Sequence, residues 1–221
     1  MYLPNVFEEN RVEVLHELMR TYPLGTLVTL NDDGLQANHI PFEVQREPEP
    51  FGTLYAHVAR ANPVWHELSR THDVLVIFQG PQAYISPSWY RTKKETGMVV
   101  PTWNYAVVHA HGHLEPIEDP VWLRAFVEKL TRTHERGRAE PWNISDAPAQ
   151  YIDKQLKAIV GLKLTVRRLL GKWKLSQNRP AQDRESVIGA LFAQGTELSR
   201  AMAEAMERVH SRLEQGPNRS C

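Results

Sequence analysis

Between Gly80 and Gly112 the chain reads GPQAYISPSWYRTKKETGMVVPTWNYAVVHAHG, and the residue types gathered there are ones that grip ligands. Flat rings (Tyr84, Trp89, Trp103), hydroxyls (Ser86, Ser88, Thr102) and the amide of Asn104 flank a basic, Gly-containing turn carrying Arg91, Lys93 and Lys94. Rings stack, hydroxyls and amides hydrogen-bond, and cations neutralise phosphate, so a planar anionic cofactor suits the mixture. In an extended chain alternate residues share a face. That puts Ser86 with Ser88, and Thr102 with Asn104 opposite Trp103 and Tyr105, and one of the latter two faces must be core. For SPSWY the plain alternative is a bulged edge strand in which Pro87 prevents entry into a central ladder.

A second group is HVARANP, where a strand runs into a helix start and supplies His57, Arg60 and Asn62 beside free backbone amides, a setting for a phosphomonoester. The competing reading is that Arg60 pairs with a nearby carboxylate and Asn62 only caps. A third is the run from Lys154 to Arg184, with nine basic residues against one acid, Asp183. Its core KWKLSQNR sets Lys172, Lys174 and Arg179 around Trp173, Ser176, Gln177 and Asn178. Such a stretch grips a cofactor phosphate, meets nucleic acid, or is a solvated hairpin. His109, His111 and His113 fall on one face of a strand, but alternate positions lie about 6–7 Å apart. That is wide for three ligands to one ion, so the expected reading is a half-exposed polar face and no metal site.

Other chemistries lack their residues. There is no GxGxxG after a strand and no GxxxxGK[ST], hence no support for a Rossmann dinucleotide site or a P-loop. GxSxG, HExxH and DFG are also missing, which removes the usual hydrolase and kinase signatures. The single cysteine, Cys221, excludes an intrachain disulfide framework. Basic and acidic residues balance at 26 each, so no global field draws the chain to nucleic acid or an anionic membrane. No apolar run approaches the ~20 residues of a membrane span, and MYLPNVFEEN has no signal-peptide character. A soluble, cytoplasmic protein is expected.

The elements that must position these residues follow from periodicity. Val14, Leu15, Leu18 and Met19 recur at helical spacing after Asn10 and before Pro23. GTLVTL, an Asn31–Gly34 turn and LQANHIPFEV predict a hairpin. FGTLYAHV is a third strand, NPVWHELS a short helix capped by Asn62, and DVLVIFQG, AYISPSWY and VVPTWNYAVVHAHGHL are three more strands. Strands this close together with hairpin-like links predict an antiparallel sheet closing into a barrel. Asp119 and Pro120 start a helix with Leu123, Phe126, Val127 and Leu130 on one face. ERGRAEPWNISDAP reads as loop, and PAQYIDKQLKAI as a helix burying Tyr151, Ile152, Leu156 and Ile159. KLTVRRLL and KWKLSQ pair as a hairpin around Gly171, Asp183 caps a helix that Gly195 ends, and Thr196 caps a last helix striped by Leu198, Met202, Met206, Val209 and Leu213. One domain is expected over residues 1–214, with a helical extension from about 115 to 214, followed by a disordered tail, 215–221.

MYLPNVF, HIPF, LYAHVARANPVW, FQGPQAYISPSWY, VPTWNYAVVHAHG and KWKLSQNRPAQDR, in that order, closely resemble the PaiB family over residues 1 to about 190. These are FMN-binding negative transcriptional regulators with a flavin-reductase-like split barrel. The resemblance implies an α+β fold, an antiparallel split β-barrel of the flavin-reductase and pyridoxamine-phosphate-oxidase type with peripheral helices. It also implies a homodimer with FMN at the subunit interface. Its phosphate falls on His57, Arg60 and Asn62, and its ring near Tyr84, Ser86, Ser88 and Trp89. Thr102, Trp103 and Asn104 are further candidates, with Lys174, Gln177 and Arg179 from the basic run. DNA contact follows from the regulatory role, although no helix-turn-helix stands out. Two other outcomes are an FMN-dependent oxidoreductase or flavin reductase, and, on the strength of ten histidines, a haem-binding protein.

Overall fold

The computed structural model describes residues 1–66 and 73–215. Strand β1 (Glu8–Glu9) precedes helix α1 (Val12–Thr21). Then come β2 (Leu24–Asn31), β3 (Gly34–Pro41), β4 (Glu43–Gln45), β5 (Thr53–Ala59) and β6 (Val74–Ile85). The one-turn helix α2 (Lys93–Thr96) is followed by β7 (Thr102–Ile117), α3 (Pro120–Glu135), α4 (Ala149–Lys157), β8 (Ile159–Lys174), α5 (Ala181–Gln194) and α6 (Glu197–Gln215). The strands form one sheet in the order β3-β2-β6-β7-β8-β5-β4, with β1 added to β8. The pairs with a defined register are all antiparallel, as the short links require.

Contacts gather the chain into two compact units, each drawn from separated segments. One holds residues 19–78 and 110–169. Here β2 and β3 form the expected hairpin, in register from Leu24 opposite Pro41 to Asn31 opposite Gly34. Asn31 Oδ1 accepts from Asp33 N at 3.1 Å and shapes the turn. Asp119 caps α3 by accepting from Val121 N at 2.9 Å, with Pro120 in the first turn. α3 and α4 bury Leu123, Ile152 and Leu156 against one another and Ile144. Tyr151, expected on the buried side of α4, is 55% exposed instead: Ile152 and Leu156 are buried and Ile159, just past the helix, packs against them.

The other unit holds Met1–Leu18, Gln79–His109 and the chain from Leu170 onward. Its core joins Ile85, Tyr90 and Leu175 to Val187 and Leu191 of α5 and to Met202 and Met206 of α6. The methionine stripe of α6 is therefore core, whereas Leu198 lies outside it and is exposed. Gly195 ends α5 at φ 68°, and Thr196 Oγ1 accepts from Ser199 N at 3.1 Å to start α6.

Four expectations are corrected. The late hairpin does not form: Ile159–Lys174 is one 16-residue strand. Gly171 is needed for room, because a Cβ there would lie 2.2 Å from Leu15 Cδ2 and 2.6 Å from Glu9 O of the neighbouring β1. DVLVIFQG and AYI likewise form a single strand, β6. Asp183 is not a cap; it is buried in the first turn of α5 and accepts from Thr92 N at 3.0 Å and Thr92 Oγ1 at 2.7 Å. The helix expected after Asn62 is a 3-10 turn, Pro63–Trp65. Its continuation to Ser69, the side chain of Leu213 and the tail after Gln215 lie outside the described residues.

Candidate functional site

In the unit of residues 19–78 and 110–169, the end of β5 bends through Ala59–Ala61 into the Pro63–Trp65 turn. Asn62 caps this turn, its Oδ1 accepting from Val64 N at 3.0 Å, while its Nδ2 donates to Asn38 Oδ1 at 2.8 Å. That bridge joins the turn to β3, the terminal strand of the sheet path. Around it opens a recess of about 600 Å³ lined by Thr29, Asn31, Gln36, Asn38, Asn62 and Val64, with Asp33, Ala37, Ala61 and Pro63 completing it. Its size is within the roughly 300–1,000 Å³ of small-molecule sites. Amides and a hydroxyl dominate its polar wall, a surface that matches neutral groups presenting both donors and acceptors.

Asn62 belongs to this recess; the two residues expected beside it point elsewhere. The His57 ring meets Phe126 of α3 edge-on at 6.1 Å, and burial lowers its pKa. Phe126 stacks in turn on Trp122 of the same helix, which meets Tyr55 of β5. Arg60 donates Nε to Lys157 O at 3.0 Å, Nη1 to Glu118 at 2.6 Å and Nη2 to Ile159 O at 3.3 Å. Its guanidinium thus lines a different cleft of about 560 Å³, with Glu118, Leu123, Arg124, Asp153 and Leu156.

A lowered folded pKa means that the unfolded chain binds the His57 proton first on acidification. The stability that neutral His57 contributes is complete above its unfolded value, about 6.5, and is lost as pH falls through the window below it. His57→Phe is expected to shrink the drop in urea midpoint between pH 7.5 and pH 5.5 relative to the parent; an unchanged drop would exclude His57 as its source.

In the second unit the candidates separate into three environments. Ser86 ends β6 as the cap of a 3-10 turn, Pro87–Trp89, accepting from Ser88 N at 3.2 Å, and the Ser86 and Ser88 hydroxyls bond each other at 2.7 Å. Asn104 is buried: its Nδ2 donates to Ser176 Oγ at 3.0 Å and contacts Met206 Sδ at 3.4 Å. Gln177 is equally occupied, accepting from Leu175 N at 2.7 Å and donating to Trp173 O, which locks the bend at Ser176, where φ is 64°. Of the two faces of β7, the one bearing Asn104, Ala106 and Val108 is core, and Trp103 stands on the outer one.

That outer face carries an aromatic and cationic shelf. Tyr84 and Trp103 meet edge-to-face at 6.0 Å and are each about half exposed. Lys174 Nζ donates to Thr102 Oγ1 at 2.5 Å and Trp103 O at 2.8 Å. Burial, reinforced by the charges of Lys172 and Arg179 and opposed by Tyr105, lowers its pKa. Lys172 Nζ donates to Tyr2 O at 3.0 Å and lies over the rings of Tyr2 and Tyr105. Arg179 lies over Tyr90 at 4.9 Å. His109 of this unit, and His111 and His113 of the unit described first, are half-buried on β7, His111 Nδ1 lying 3.2 Å from Arg168 Nη2.

Residues 1–168 match the family described as "Putative FMN-binding domain". The chain belongs to this family. Protease synthase and sporulation protein PAI 2 of Bacillus subtilis is 33% identical over 207 residues, covering 94% of this chain and 97% of its own. An uncharacterised protein of Aspergillus fumigatus is 34% identical over 252 residues, covering 94% and 97%. Among solved structures, the FAD and haem binding protein of Mycobacterium smegmatis superposes with TM-score 0.54 at 20% identity, covering 76% of this chain and 73% of that one. The architecture is an α+β antiparallel split barrel with peripheral helices.

FMN, the ligand in the family's description, presents a ring edge of alternating donors and acceptors, a polyol and a phosphate. The recess fits the first two, since Thr29, Gln36, Asn38 and Asn62 offer both donors and acceptors. For the phosphate, the nearest cation along the chain is Arg60, directly before the recess residues Ala61 and Asn62. Its link to Glu118 is between half-exposed groups, 38% and 54%, a kind of pair worth only about 0–1 kcal/mol. A phosphate dianion can outbid such a partner, and the donor set fits FMN once Arg60 turns from Glu118, Lys157 O and Ile159 O toward the recess. Thr29, Gln36 and Asn38 escaped the sequence reading. The signal was there in LQANH, whose polar residues fall on both faces of a strand.

Proposed function

We propose that this chain binds FMN in the Asn38–Asn62 recess and serves as a flavin-bearing negative regulator of transcription of the PaiB type. The observation that carries the FMN reading is the recess itself: it lies wholly within the family-matched residues and its wall is mainly neutral donors and acceptors. Asn38 and Asn62 would hold the ring edge and polyol, and Arg60, once released from Glu118, the phosphate. Bound FMN supplies a redox-active chromophore; the chain supplies orientation and electrostatics.

The regulatory part draws on the Bacillus subtilis relative, whose name refers to protease synthesis and sporulation. A homodimer is part of the proposal. Leu30 and Leu35 of the β2–β3 hairpin are exposed at 51% and 75% and are paired across the strands. Contiguous apolar surface of this kind marks contact faces. No described helix is long and apolar enough to cross a membrane, and a cytoplasmic location accords with that.

The purified protein is expected to show flavin absorbance or to take up added FMN at micromolar levels. Asn38→Leu with Asn62→Ala should weaken uptake at least about tenfold, from the loss of one or two ligand hydrogen bonds and the bridge between them. Parent protein that binds no FMN under these conditions ends the reading. Reduction of the bound flavin by NADH or NADPH in stopped flow, above the rate for free FMN, would move the assignment to an oxidoreductase.

A further inference from the structure

The shelf on β7 and β8 is not accounted for by the recess. Its three cations crowd one another: the charges of both Lys172 and Arg179 weigh on Lys174. Among the described residues no carboxylate forms an ion pair with any of the three. Lys172 and Lys174 reach only a hydroxyl, carbonyls and ring faces. Asp183, four residues beyond Arg179, is buried and taken by Thr92. Like charges held together without counter-charge are unfavourable unless an anion is shared between them. An ammonium has three donors, and Lys174 spends two, on Thr102 and Trp103, leaving one for a ligand oxygen. Beside it, Tyr84 and Trp103 expose about half of their surface although packed against each other. Half-exposed aromatic faces next to uncompensated cations are what a base and its phosphate require.

We propose that Tyr84, Trp103, Lys172, Lys174 and Arg179 form a second ligand site for a flat ring carrying a phosphate, a nucleoside monophosphate by chemical class, distinct from the FMN recess. The ring stacks on Trp103 or Tyr84, and the phosphate takes the remaining Lys174 donor under the combined field of Lys172 and Arg179.

The test is equilibrium dialysis of the full chain, previously incubated with FMN, against AMP and against adenosine. AMP is expected to bind at about one equivalent with a sub-millimolar Kd and without releasing flavin, and adenosine about tenfold more weakly or worse for want of the phosphate. Lys174→Met and, separately, Trp103→Ala should each weaken AMP about tenfold. Trp103 is 54% exposed and Lys174 half-buried, so unchanged melting identifies the loss as local. AMP that fails to bind at about 5 mM, that releases FMN in proportion, or that binds Lys174→Met as it binds the parent overturns the site. If the chain takes up no FMN, dialysis of the same chain with AMP still decides the shelf, because the two sites share no residue.

Discussion

Gly112→Val is expected to leave little folded protein. Gly112 lies on the buried face of β7, and a Cβ there would stand 2.1 Å from Thr165 O, 2.9 Å from the carbonyl carbon of Thr165 and 3.0 Å from Leu164 Cδ2. Two of those atoms are backbone of the neighbouring β8, so no rotamer change relieves the overlap and the strands themselves must separate. Overpacking of a core costs about 1–3 kcal/mol and more where the backbone must move; a loss near 3 kcal/mol lowers the melting midpoint by about 6–12 °C for a chain of this size. Gly189→Ala is the matched control. Gly189 sits in α5 with nothing within 4 Å of an added Cβ, and replacing glycine in an exposed helix gains about 0.5–1 kcal/mol. Differential scanning fluorimetry of both variants should therefore show shifts of opposite sign. A Gly112→Val midpoint within about 2 °C of the parent would mean that β7 and β8 are not packed as described.

Glycines also mark where local reading of this chain reaches its limit. The Asn31–Gly34 turn, the Asp119 cap and the Gly195 stop each depend on residues a few positions apart, and each forms where the sequence places it. Gly171 looks the same locally but acts through tertiary space: it makes room for Leu15 and Glu9, more than 150 positions away. Nothing adjacent to it distinguishes a turn from a close approach, and so β8 reads as two strands. The candidate site follows the same rule. Asn62 is evident because a cap is a local device. Its partner Asn38 is 24 positions distant, and Asn104 meets Ser176 across 72, so their roles follow from pairing that composition does not encode. Arg60 shows the reverse case, since its residue type invites a phosphate while its bonds to Lys157 O, Glu118 and Ile159 O come from elements far along the chain.

Arg60→Gln is expected to weaken FMN binding by about 10–100-fold, as a charge-assisted contact to a phosphate contributes about 1.5–3 kcal/mol. Stability should fall much less, because the exposed ion pair it loses is worth about 0–1 kcal/mol, although the carbonyls of Lys157 and Ile159 lose their donors. Glu118→Gln separates the two roles of the guanidinium. In the free protein Glu118 holds Nη1 at 2.6 Å, so a phosphate must compete with it; removing that charge should strengthen FMN binding, by no more than about fivefold given the small worth of the pair. The double variant should behave like Arg60→Gln alone, because Glu118 acts on the ligand only through Arg60. Fluorescence titration of FMN into the four proteins gives the whole cycle, repeated with riboflavin as the phosphate-free arm. Riboflavin affinity should be nearly indifferent to all three changes. Equal weakening of FMN and riboflavin by Arg60→Gln would show that Arg60 supports the fold around the recess and that the phosphate is held by other groups.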